Sequence, residues 1–243
     1  MSTKVHVTAS KLHKWLALII GIQVLLWVVS GSVMSILPIE TVRSEHLVSR
    51  EAANLENIDG LIGPAVISSK VDGEIKSLRY RMLMGKPIAQ ITDKNGRAYL
   101  FDGISGELRG PVSAREARVI ASSAWIDGRP QFDTVQQIDM GSVEYRGELP
   151  AWQVTTADDV RIFVPVATGE IAAVRSPTWR FYDFFWSLHI MDWKNHENFN
   201  SWWLIAFALG GVFMAVSGLT LLVKRWPLKR NKSSARKRGM DNP

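Results

Sequence analysis

The 243-residue chain contains no cysteine. That excludes disulfides and thiolate metal sites, without assigning a compartment. Histidine is scarce: only His6, His13, His46, His189 and His196 occur. No phosphate-cradling glycine loop and no nucleophile with a nearby histidine stand out. Acids are missing from the two ends. None precedes Glu40, and only Asp241 follows Lys224. Charge is absent altogether from 202–223.

What is present follows from those gaps. The net charge is +6, and the excess lies at the termini, where Lys4, Lys11 and Lys14 open the chain and a Lys/Arg-rich tail closes it. The segment between is net acidic, which argues against nucleic acid as a partner. The uncharged run 202–223 is about 33 Å long as a helix, enough to cross a bilayer core. A second apolar run, 15–37, has Gln23 as its only strongly polar interruption. A cleaved signal peptide shares its basic start, but a signal core is typically ~7–15 residues and no clear A-x-A site follows. The run therefore reads as an uncleaved anchor.

Basic flanks mark the cytoplasmic side of a span. The chain divides accordingly into a cytoplasmic N-terminus 1–14, a transmembrane helix 15–37, an outer region 38–198, a transmembrane helix 202–223 and a basic cytoplasmic tail 224–243. The outer region would lie in the periplasm of a Gram-negative cell. Both spans carry small residues four apart: Gly31 and Ser35, Ala206 and Gly210, Gly211 and Ala215. Such pairs suit close helix packing in lipid, or close approach to a planar cofactor.

The outer region reads as α+β. Strands are expected at 75–84, 87–93, 97–102, 153–156, 161–166 and 170–174, with Asn95-Gly96 as a hairpin turn. Ser113 and Glu116 form a capping-box pattern opening a helix over 114–125. An internal repeat has an offset of 63 residues. Pro87–Thr92 (PIAQIT) matches 150–155 (PAWQVT), and 105–108 (SGEL) matches 168–171 (TGEI). Two small units, about 60–110 and 111–176, are expected to pack together. An aromatic interfacial segment, 179–198, follows, with Trp179, Trp186 and Trp193 seven residues apart as a membrane-interface belt.

All the histidines but His6 fall near a span end. Neutral imidazole ligates haem iron and transition metals, and an interfacial histidine with its polar edge in water is the plainer reading. If the chain is helical there, His189 and His196 lie two turns apart on one face, about 10 Å along the axis. Asp192 would share that face. It could orient either imidazole, or join His189 and His196 in a haem-free metal site.

Leu12-His13-Lys14-Trp15-Leu16 and Trp27-Val28-Val29-Ser30-Gly31-Ser32-Val33-Met34 resemble the first helix of PepSY-associated transmembrane proteins. Leu188-His189-Ile190-Met191-Asp192-Trp193, with His196 and Phe199-Asn200, resembles the segment leading into a later helix of that family. The two hairpin units resemble PepSY domains, with Thr168-Gly169-Glu170 as the usual turn. The fold class this implies is a membrane protein with two transmembrane α-helices flanking an α+β periplasmic region of two PepSY-like units. By the same resemblance, the chain is an inner-membrane, haem-dependent ferric or ferric-siderophore reductase assisting iron uptake. Iron is then the substrate, and an iron transporter or siderophore a partner. His13, His189, His196 and His46 are the candidate haem-binding residues, with His13 serving an inner haem and His189 or His196 an outer one. A homodimer would supply a second His13. The alternative is a PepSY peptide- or protein-binding module anchored in the membrane and regulating an envelope protease or transporter.

Overall fold

The computed structural model describes residues 3–51, 53–55, 58–128 and 130–225, with the side chains of 3–13, 58, 221, 224 and 225 left aside. The tail from 226 onward, read from sequence as a basic cytoplasmic segment, lies outside the described residues, as do the side chains of His6 and His13. The chain divides into two compact units, Trp27–Phe199, and Met1–Leu26 with Asn200–Pro243.

The second of these is a helical hairpin. Helix α1 (Thr3–Ile36) contributes its N-terminal part and helix α6 (Trp202–Arg225) the other arm. Stretches Lys14–Ile36 and Trp202–Thr220 are long and apolar enough to cross a membrane. The small residues serve helix packing. A Cβ on Gly210 would come within 2.9 Å of Ile20 Cδ1, and one on Gly211 within 3.6 Å of Val24 Cγ2. Glycine thus lets α6 approach α1 across these two turns.

The larger unit takes in the last turns of α1, then helix α2 (Ile39–Val42), α3 (Pro64–Ser68) and an antiparallel meander of β1 (Ile75–Leu83), β2 (Lys86–Asp93) and β3 (Ala98–Asp102). Helix α4 (Ala114–Ser123) follows. A second meander holds β4 (Phe132–Ile138), β5 (Ala151–Thr156), β6 (Arg161–Pro165) and β7 (Ala173–Arg175), and helix α5 (Pro177–Ile190) closes the unit. Ser113 caps α4 with both halves of the capping box present, as its sequence pattern expects.

Strand β4 is absent from the sequence reading. It is an edge strand whose residues alternate poorly: Asp133, Thr134, Gln136 and Gln137 are all exposed. The expected strand at 170–174 is shorter and later, because a turn occupies its start. Gly169 there has φ +70°, and Gly106, 63 residues earlier, has φ +68°. Gly106 N–H donates to the Asp102 carbonyl and Gly169 N–H to the Pro165 carbonyl, each at 2.9 Å. The repeat seen in the sequence is therefore a repeated left-handed turn following the third strand of each copy's pattern.

The two sheets share one core. Leu83, Ile88 and Leu100 of the first meet Val154, Ile162, Val164 and Val174 of the second, with Ala117, Ile120 and Ala121 of α4 among them. The other face of the first sheet packs Ala89, Ile91 and Phe101 on Ile67 of α3. Both faces of β2 are thus covered, which explains its run of four buried residues. Arg81 pins the sheets together at one edge. Its Nε donates to Gln90 Oε1 at 3.0 Å and lies 3.2 Å from Glu170, and its Nη2 donates to the Thr168 carbonyl.

Candidate functional site

Helix α5 carries the residues that the sequence singles out. Ser176 caps it, accepting from Trp179 N–H at 3.3 Å and from Ser44 Oγ at 2.9 Å. Its first turns are tied to the second sheet by charge. Arg180 Nη2 donates to Asp159 Oδ2 at 2.6 Å and its Nη1 to Glu144 Oε1 at 3.5 Å, a carboxylate that also accepts from Arg161 Nη1 of β6 at 2.9 Å. Arg175 Nε donates to the Glu144 carbonyl at 2.8 Å, and its guanidinium sits 4.3 Å from the Trp179 ring centroid. Burial pulls the Arg175 pKa down from its ordinary value, although Glu144 opposes this. The result is a helix with a fixed base.

The far end of α5 is fixed by α1. Trp27 Nε1 donates to the His189 carbonyl at 2.7 Å. Fully buried Ser30 places its Oγ 2.9 Å from His189 Nδ1. The same hydroxyl donates its single hydrogen to the helix backbone at Trp27, 3.2 Å away. The contact engages Nδ1 of the ring, on the side away from Nε2. Gly31 faces the ring. A Cβ there would lie 3.5 Å from His189 Cε1, in ordinary contact.

His196 is held in a parallel way by other residues. Helix α5 ends at Ile190 because Met191 turns left-handed, with φ +57°. The chain doubles back, and the His196 carbonyl accepts from Trp186 Nε1 at 3.0 Å. His196 Nδ1 lies 2.5 Å from Asp183 Oδ2. Here too the contact engages Nδ1 of the ring, on the side away from Nε2.

This corrects the helical reading of 189–196. His189 and His196 do not share a helix face, and Asp192 orients neither imidazole. Its Oδ1 accepts from the amides of Lys194 and Asn195 at 3.3 and 3.2 Å, and its Oδ2 from those of Glu197 and Asn198 at 3.0 and 2.9 Å. Those amides, Asn198 and Glu197 first, hold its carboxyl far below the usual carboxylate range. Asp192 builds the turn, and Asp183 is the carboxylate that meets a histidine. Among the described residues no three His, Cys, Asp or Glu side chains gather as a metal cluster. The haem-free set of His189, Asp192 and His196 is thus not assembled.

His46 is exposed in the turn after α2. The neighbouring Ser44 bonds the N-cap of α5, so His46 lies near the opposite end of that helix from His189, about 20 Å by helical rise. The sequence reading missed Ser30, Trp27, Asp183 and Trp186 as holders of the two histidines.

A family model for the PepSY-associated TM region matches residues 10–241. The chain belongs to that family. Membership accounts for two apolar helices around an α+β region with two sheets, and it makes this a membrane protein. No curated protein and no solved structure matches the chain. Within the family's segment, the arrangement at α5 fits a haem iron by its donor chemistry. In His189 and His196 alike, Nδ1 and the backbone carbonyl are engaged, which leaves Nε2 as the ring nitrogen to meet a metal.

Proposed function

We propose that this PepSY-associated TM protein is a haem-dependent ferric or ferric-siderophore reductase of the bacterial inner membrane, assisting iron uptake. The observation that carries the reading is the matched hold on His189 and His196. Each has an indole on its carbonyl and an oxygen partner at Nδ1, so Nε2 is the ring nitrogen left to ligate iron. When bound, haem supplies a one-electron carrier. Ser30 and Asp183 fix the tautomer and ring angle of the ligands, and Trp27 and Trp186 fix their backbones. Ferric iron on the outer side is the substrate.

In this reading both termini are cytoplasmic and the two PepSY-like sheets periplasmic. His13, near the inner end of α1, ligates an inner haem. A second copy supplies the other His13, so the working unit is a homodimer. The test is a reduced-minus-oxidised spectrum of the purified protein. A haem Soret band that His189→Ala or His196→Ala weakens supports the reading; a colourless protein rejects it.

One observation favours a second reading. A cavity of about 710 Å³ lies beside β1 and α4, lined by Arg50, Glu51, Arg81, Met84, Val119 and Glu170 among others. An envelope peptide or protein segment held there would make the outer region a binding module. A colourless protein that captures peptides favours this second reading.

A further inference from the structure

Helix α5 is amphipathic in an inverted sense. Asp183, Ser187 and Ile190 lie along the face turned to the protein, with Ser187 and Ile190 buried and Asp183 bonded to His196. The opposite stripe is Phe181, Phe184, Phe185 and Leu188, at the i, i+3, i+4 and i+7 spacing of one helical face. It contains no polar group. Phe181 is 53% exposed and Phe184 56%. The three rings lock edge to face, with Phe181 and Phe184 centroids 5.0 and 5.3 Å from that of Phe185. A helix in water turns such a stripe inward.

The surroundings of α5 identify the medium. Its last turn is bonded to Trp27 and Ser30 and faces Gly31, all within the apolar stretch Lys14–Ile36 of α1. Val28, Val29 and Ile36 of that stretch are themselves exposed, as a lipid-facing helix requires. The charged neighbours of the stripe are drawn away from it: Arg180 goes to Asp159 and Glu144, and Asp183 to His196. Of the three tryptophans expected to form the interfacial belt, Trp193 is exposed and the other two are engaged by protein groups. Trp179 lies under Arg175, and Trp186 bonds the His196 carbonyl.

We infer that the Phe181–Phe184–Phe185–Leu188 stripe of α5 is seated in lipid, continuing the membrane-facing surface of α1 and fixing the two-sheet region against the bilayer. The partner is phospholipid, at the boundary between headgroups and acyl chains, where an apolar helix face is stabilised by leaving water. The phenylalanines make the belt, and the heptad-spaced Trp179 and Trp186 support α5 from within. This inference stands independently of any haem.

The chain has no cysteine, so single-site labels are unambiguous. The full chain is placed in phosphatidylethanolamine/phosphatidylglycerol nanodiscs with a nitroxide at Phe181→Cys, Phe184→Cys or Leu188→Cys. Val28→Cys marks lipid, and exposed Ser77→Cys on β1 marks water. Oxygen should relax the α5 labels as it does Val28→Cys, and a water-soluble nickel chelate should relax them several-fold less than Ser77→Cys. Three positions read the same stripe, so one poorly folding variant does not remove the test. Nickel relaxation equal to that at Ser77→Cys would place the stripe in water and overturn the inference. Labels shielded from both reagents would mean a protein surface, such as a second copy, covers the stripe, and would overturn it equally.

Discussion

Ser30 and His189 are 159 residues apart in sequence and 2.9 Å apart at Oγ and Nδ1. In the proposed role Nδ1 donates to Ser30 and Nε2 ligates iron, so loss of the bond should act on the tautomer before it acts on the fold. Ser30→Ala should raise the Nε2-protonated share of His189, read by nitrogen-15 shifts of labelled histidine, and weaken haem retention by ~10–100-fold. Ser30→Thr keeps the hydroxyl and should restore much of both. Unchanged histidine shifts in Ser30→Ala would show that the bond does not set the tautomer.

Asp183 and His196 give a second, separable case. Asp183→Asn preserves shape but removes the charge on the acceptor. The prediction is a retained protein level with haem binding or ferric reduction reduced by ~10–100-fold, as for other residues that orient a ligand. Asp192→Asn should affect the site less directly. It weakens the turn that returns His196 to Asp183, which limited proteolysis around 192–198 would detect. Equal haem loss in both variants, with no added cleavage in Asp192→Asn, would contradict this division of roles.

Tyr145 supplies a pH prediction. Its hydroxyl donates to the Glu148 carbonyl at 2.8 Å, and its ring stacks on Phe163 with centroids 4.8 Å apart. Burial, with Glu148 adding to it, pushes the phenol up to about 12 from an ordinary 10. The folded state therefore holds the proton more tightly than the unfolded state. The stabilisation is complete below pH 10 and is lost as pH rises towards 12. Ultraviolet titration should show one tyrosine ionising late and together with loss of the stack. Tyr145→Phe keeps the stack and should cost about 1 kcal/mol, the typical net value of one hydrogen bond.

The paired turns predict paired defects. Gly106 and Gly169 both have positive φ, where a Cβ costs roughly 1–2 kcal/mol. At Gly106 the added atom would also lie 2.4 Å from Ile62 Cδ1, against 3.0 Å from Val112 Cγ2 at Gly169. Alanine at either site should lower the melting temperature of the outer region, with Gly106→Ala at least as damaging unless Ile62 swings aside. No change in either melt would remove the argument for strict left-handed turns.

The distribution of Lys and Arg predicts the topology. Reporters fused at Met1 and after Pro243 should read cytoplasmic, and one inserted at the Asn95-Gly96 turn should read periplasmic. The opposite pattern would reject the orientation proposed here.

The local features were legible in the sequence. The apolar runs, the Ser113/Glu116 cap and most strands depend on neighbours within a few residues. The site was legible only in part. His189 and His196 stood out by their place before an apolar run, but Ser30 and Asp183 did not, because each meets its histidine through the fold. Asp192 was misread for a specific reason. Nothing at Met191 announces the end of α5, since Met favours helices, and extending the helix puts Asp192 on a histidine face. Strand β4 was missed because an edge strand does not need alternating apolar residues.

The bond between Ser30 and its own helix backbone at Trp27 has a consequence for biogenesis. The ribosome delivers Ser30 159 residues before His189. At ~5–20 residues per second, α1 waits on the order of ten seconds or more in the membrane without its partner. A hydroxyl turned back onto the helix carbonyls is already satisfied in lipid during that wait. When α5 arrives, His189 Nδ1 meets that same hydroxyl at 2.9 Å. The late helix can therefore dock without α1 having carried an unsatisfied hydroxyl in the bilayer through the wait.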